Sequence, residues 1–213
     1  MSEIPKKSSP PLATEVRLLA AIAYGESSTK DDVDELFALA SVLVRQRDAR
    51  GYKDVASFAA KEKTFAYAAI DGNRRFGKLM KASEQEIERH AGMKAAVEAA
   101  VNALNGGEDK SNGAYFWDGA DIKTNYAAHF KVRRGIKFTE PSHNLYDIQD
   151  SIKIEIQRKT TKIKNRKTGK ISEVTEEVGR YDHQYDSTAA YGGTIFWKLN
   201  PQFLKVTKGW EYK

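Results

Sequence analysis

Midway along this chain the spacing of apolar residues changes, and that change limits the folds open to it. Up to Leu104 they recur at helical spacing; beyond Asn112 they alternate or gather in short aromatic runs. Side chains three and four apart share one face of a helix, whereas alternating ones share one face of a strand. Helices followed by strands read as an α+β fold, mostly helical, with the strands in the C-terminal half.

Thr14 is a candidate cap for a first helix with Val16, Leu18, Leu19 and Ile22 on its apolar side, and Gly25 is its expected stop. A second helix is expected from near Thr29, with Asp31 and Asp32 in its first turn, where carboxylates suit the positive end of the dipole. Its stripe runs Val33, Leu36, Phe37, Ala40, Leu43, Val44, and Gly51 ends it; Val55 and Phe58 suggest a short third helix. Ser83 and Glu86 have capping-box spacing. Gly92 is expected to break or bend that stretch before the stripe from Met93 to Leu104, which Gly106 and Gly107 close. In the second half, Ile152 to Lys164 and Ile171 to Val178 alternate around the turn-like Asn165 to Lys170, predicting a long β-hairpin.

The 213 residues suffice for one domain and an insertion. Residues 1–13 read as a flexible leader. Residues 14–213 read as a single domain with a basic, β-rich insertion at about 125–185. No conventional signal peptide is expected, because Glu15 and Arg17 interrupt the apolar run that follows Lys6 and Lys7. The longest apolar stretch, Leu18 to Tyr24, is too short to span a bilayer. With no cysteine, disulfides, thiol catalysis and thiolate metal sites are excluded. The four histidines show no close metal-ligand spacing, so neither metal nor cofactor is expected. A net charge of +6 favours anionic partners.

The chemistry-bearing cluster is Tyr24-Gly25-Glu26. A carboxyl packed at the end of an apolar helix is desolvated, which disfavours its charged form and raises its pKa. A carboxylic acid still protonated near neutrality is what a glycosidic oxygen requires as it leaves. The competing reading makes Glu26 an ordinary loop carboxylate.

These residues resemble the lysozyme-like cell-wall hydrolases related to the spore cortex-lytic (SleB-type) family. That family opens with an apolar helix and a Tyr-x-Glu signature. The stretch Leu36 to Arg45 is similar to its next helix, with Val44 where the family has asparagine. The block Asp109-Lys110-Ser111-Asn112-Gly113-Ala114-Tyr115-Phe116 is similar to its Asp-x-x-Asn-Gly-Ala run. The family's closing Gly-x-His-x-Phe is matched only loosely by Gly192 to Trp197, with Thr194 in place of histidine. The likeness covers roughly residues 14 to 120 and 187 to 198.

The resemblance implies a lysozyme-like core and a peptidoglycan glycosidase, either muramidase or lytic transglycosylase, with Glu26 as general acid. Tyr24, Arg45, Asn112, Tyr115, Phe116 and Tyr191 are then substrate-binding candidates. A hydrolase needs a second carboxylate. Asp118, after the aromatic run, is the candidate; Asp31, Asp34 and Glu35 read more simply as helix N-terminal charges, and Asp121 is a further possibility. Thr194 is an alternative, holding a water or the transferring sugar. If no second carboxylate serves, the route is that of a lytic transglycosylase, in which the sugar's own hydroxyl attacks.

The implied setting is an antibacterial effector or lysin acting in the periplasm of a target bacterium, delivered by a type VI secretion apparatus and restrained by a cognate immunity protein. The alternative is a non-enzymatic nucleic-acid-binding module using the Lys-rich hairpin. The interleaving of its basic residues with Asp and Glu, and the lack of a nucleic-acid motif, argue against it.

Overall fold

A computed structural model describes residues 12–213, so residues 1–11 of the expected leader lie outside the described residues. The fold is α+β, with nine α-helices and six strands among the described residues. The chain divides into two compact units, residues 1–110 and 111–213.

The first unit is helical. Helix α1 (Thr14–Glu26) begins at Thr14, but Ala13 occupies the cap position and offers no side-chain bond. Gly25 does not stop the helix, which continues through it to Glu26. From Leu19 to Gly25 every residue is buried, as expected of a helix apolar on all sides. Helix α2 (Val33–Ala49) starts later than Thr29 because Asp32 caps it, accepting from the Glu35 amide at 3.0 Å. Asp31 lies just outside, in the left-handed region at φ 53°. Asp54 caps α3 (Val55–Lys61) through the Ser57 amide at 2.7 Å.

Helix α4 (Arg74–Lys81), capped by Asn73, has no counterpart in the sequence reading. Four of its eight residues are basic, and only Leu79 is buried. The capping box of Ser83 and Glu86 opens α5 (Glu84–Arg89) as expected. The break before α6 (Ala91–Leu104) falls at His90 rather than Gly92, because His90 Nδ1 accepts from the Met93 amide and starts a new helix. Ala95, Ala96, Ala99, Ala100 and Ala103 form the buried side of α6, and such small side chains let α1 and α2 both pack closely on it.

The second unit holds a four-stranded sheet in the order β1 (Phe116–Asp118), β6 (Thr194–Leu199), β5 (Tyr185–Tyr191), β2 (Ile136–Lys137). β6 is antiparallel to both neighbours, while β2 runs parallel to β5. Four of the first five β6 residues are buried in succession, as befits a strand covered on both faces. Around it Ile122, Val132, Ile136, Tyr185, Ile195, Trp197 and Leu199 form the core of this unit.

The long hairpin is present as β3 (Glu155–Lys164) and β4 (Ile171–Tyr181), a separate two-stranded ribbon. Helix α9 (Pro201–Thr207) packs on β4 at its base, where Gly179 leaves room for Val206. Cross-strand partners include Lys162 with Glu173, Lys159 with Glu176 and Arg158 with Glu177, so a basic strand is laid beside an acidic one. The span expected as a β-rich insertion opens differently. Before the ribbon lie α7 (Asp121–Thr124), a turn of 3-10 helix at Tyr126–Ala128, and α8 (Phe130–Arg134).

Candidate active site

Glu26 is the last residue of α1, where the helix dipole is negative and a carboxylate is least welcome. It is half-buried. The short 3-10 helix Tyr67–Ala69 points its open end at it, and the Ala68 amide donates to Oε1 at 2.7 Å. Burial pushes the carboxyl up from 4.5 to about 6. The Ala68 amide pulls the other way, the charge of Asp71 adds to the rise, and the Tyr67 amide opposes it. Desolvation wins because two neutral N–H donors cannot replace water around a full negative charge.

The end of α1 is held from the α4 side. The last carbonyls of a helix have no partner within it. Here Asn73 Nδ2 donates to Gly25 O at 3.0 Å, and Arg75 Nε donates to Tyr24 O at 2.8 Å. Arg75 also donates to Ser27 Oγ at 3.0 Å, and its guanidinium lies 3.7 Å from the centre of the Tyr24 ring. An ion pair with Asp31 at 2.8 Å fixes its far side. The carboxylate of Asp31 fits only because Gly92 has no side chain; a methyl there would overlap it. Gly25 serves the same purpose closer to the acid, since a Cβ would come within 2.6 Å of Ala68 Cβ and 3.1 Å of Phe76 Cβ. Fully buried Glu35 accepts from both the amide and the hydroxyl of Ser28, at 3.1 and 2.7 Å, anchoring the loop that leaves Glu26.

Among the sequence candidates in this unit, Tyr24 is 2% exposed, so its ring supports Arg75 and offers no face to a sugar. Arg45 is ion-paired with Asp109. Asp31, Asp34 and Glu35 are engaged by Arg75, Lys110 and Ser28 respectively. The sequence reading missed Tyr67 and Ile70, large side chains 57% and 53% exposed beside the amides that hold Glu26. Nothing in their spacing marks them; their exposure emerges only once the helices are packed.

The other candidates belong to the second unit. Asn112 and Gly113 occupy consecutive left-handed positions, φ 51° and 82°, and Asn112 Nδ2 donates to Thr188 O at 2.9 Å. The Asn-Gly-Ala block is therefore a turn fastened to β5. Tyr115 carries on the pairing of β1 through a bond to Trp197 O at 2.9 Å. Phe116 packs edge-on to Tyr185, and Tyr191 lies near Phe196. Thr194 is 2% exposed at the start of β6, paired with Tyr191. Asp118 is 9% exposed and ion-paired with Lys131 Nζ at 2.7 Å. No protein-family model matches this chain, and no curated protein or solved structure matches it.

Proposed function

We propose that this protein is a peptidoglycan glycosidase that cuts the β-1,4 bond between N-acetylmuramic acid and N-acetylglucosamine, with Glu26 as general acid. One observation carries the reading: the Glu26 carboxyl, half-buried and held by Ala68, has its protonation midpoint raised to about 6. At pH 7 about a tenth of molecules then hold the proton, against about one in three hundred at the ordinary value of 4.5. Exposed Tyr67 and Ile70 beside it supply the apolar contact that sugar rings favour. The resemblance of the Tyr-x-Glu and Asn-Gly-Ala blocks to cell-wall hydrolases supports the same assignment.

Among the sequence candidates, Asp31, Asp34 and Glu35 are engaged elsewhere and Asp118 by Lys131; Asp71, whose charge reaches Glu26, is exposed and accepts from the Asn73 amide at 2.8 Å. This favours the single-carboxylate route of a lytic transglycosylase: Glu26 gives its proton to the leaving oxygen, then takes one from the sugar hydroxyl that closes the anhydro ring. The setting we favour is an antibacterial effector exported to a target periplasm and restrained by an immunity protein.

The test is digestion of purified peptidoglycan by wild type and Glu26→Gln, with products identified by mass spectrometry. Wild type should release anhydro-ended muropeptides, and the variant should release them about 10²- to 10⁴-fold more slowly. Reducing ends would replace transglycosylation with hydrolysis. No release by wild type, or equal release by the variant, would overturn the reading.

A further inference from the structure

In the second unit, the segment from β1 to α8 brings three metal-binding side chains together. Asp118 ends β1, Asp121 starts α7 and His129 precedes α8. One potential ligand atom from each lies within 4.8 Å of the others. His129 Nε2 is 3.4 Å from Asp118 Oδ1 and 3.4 Å from Asp121 Oδ2. Those contacts are long for hydrogen bonds. They do match the edge of a coordination tetrahedron, about 3.3–3.5 Å for metal–ligand bonds near 2.0–2.1 Å.

A second observation is independent of that spacing. Asp118 Oδ2, on the carboxylate that faces His129 Nε2, is sealed from solvent and has no hydrogen-bond partner. Asp118 itself is nine-tenths buried, at 9% exposure. Buried polar atoms of this kind are rare, and a bound ion is one of their recognised explanations. The same unit supplies a contrast. His183 also lies between two aspartates, Asp182 and Asp186, but both its nitrogens are within 2.7 Å of a carboxylate oxygen. Both nitrogens of that ring are taken up by short contacts. His129 has neither short bond.

We propose that Asp118, Asp121 and His129 bind one divalent cation of the zinc class. One imidazole nitrogen and two carboxylate oxygens suit a borderline cation, whereas calcium and magnesium prefer more oxygens. Lys131 Nζ, 2.7 Å from Asp118 Oδ1, competes with the cation for that carboxylate. A carboxylate oxygen has two lone pairs, so Oδ1 can meet both the ammonium and the cation, and the unpartnered Oδ2 is open to the cation as well. Asp121 is 60% exposed on its side chain, which leaves an entry path and a coordination position facing solvent. This site is independent of the Glu26 reading.

Calorimetric titration of the full chain, stripped with EDTA, with zinc chloride in excess magnesium tests the proposal. One zinc per chain is expected. Asp121→Asn and His129→Gln should each weaken binding at least tenfold, and His183→Gln should leave it unchanged. Asp121 is exposed, so its variant tests the site without disturbing the core. Lys131→Met should tighten binding if it folds. The proposal fails if wild type takes up no zinc, if both ligand variants bind as wild type does, or if the loss appears only in His183→Gln.

Discussion

Glu26→Gln tests the environment of the acid without any substrate. A carboxyl whose midpoint rises on folding binds its proton more tightly in the native state, so stability falls as the pH climbs between the two midpoints. For Glu26 those are 4.5 and about 6. The shift of about 1.5 units, at 1.36 kcal/mol per unit, amounts to about 2 kcal/mol, an upper figure because part of the side chain still meets water. The cost is absent below pH 4.5, grows through that window and is complete above about pH 6. Glutamine keeps the acceptor for the Ala68 amide but never ionises. Urea denaturation of both proteins at a series of pH values reads the difference directly. The variant should match wild type near pH 4 and exceed it by up to about 2 kcal/mol at pH 7. A difference that stays flat with pH would refute the reasoning, because Glu26 would then titrate alike in both states.

Two further outcomes follow from the packing. Gly25→Ala puts a methyl 2.6 Å from Ala68 Cβ, about 1 Å inside an ordinary carbon contact. The net cost should be about 1–2 kcal/mol after the gain in helix propensity, with the Glu26 midpoint moving higher as the Ala68 amide retreats; denaturation and a carbon-13 carboxyl titration check both. At His183, desolvation lowers the midpoint, but the hydrogen bonds and charges of Asp186 and Asp182 outweigh it and hold the ring above 6.5. The stability this confers is complete below pH 6.5 and lost as the pH rises through the folded midpoint, so wild type should weaken on the alkaline side while His183→Gln shows no such slope.

The sequence exposed local signals well and tertiary ones poorly. The Ser83–Glu86 box, the Gly106 stop and the Asn165–Lys170 turn were legible because their cause lies within a few residues. Gly25 and Gly92 looked like helix breakers, yet both are helical and exist to admit a neighbour: Ala68 in one case, the Asp31 carboxylate in the other. A missing side chain looks the same in sequence whether the backbone needs the freedom or another group needs the space. Glu26 stood out through its own neighbours in sequence. Its supports, Ala68, Asn73 and Arg75, lie 42 to 49 residues away in the chain, and no periodicity points to them. The grouping of Asp118, Asp121 and His129 was hidden for a similar reason: a search for paired histidines passes over a lone one facing two aspartates.

The β3–β4 ribbon has a practical consequence. Its strands reach out to Gly169 with the outer residues exposed on both faces, so most of its contacts are its own. Register depends on the ladder of lysine and arginine against glutamate, which weakens in strong salt or acid while the rest of the unit keeps its core. The tip at Thr168–Gly169 is therefore the natural handle on this molecule: a fluorophore, an affinity tag or new chain ends placed there should report on the ribbon and leave both folded units undisturbed.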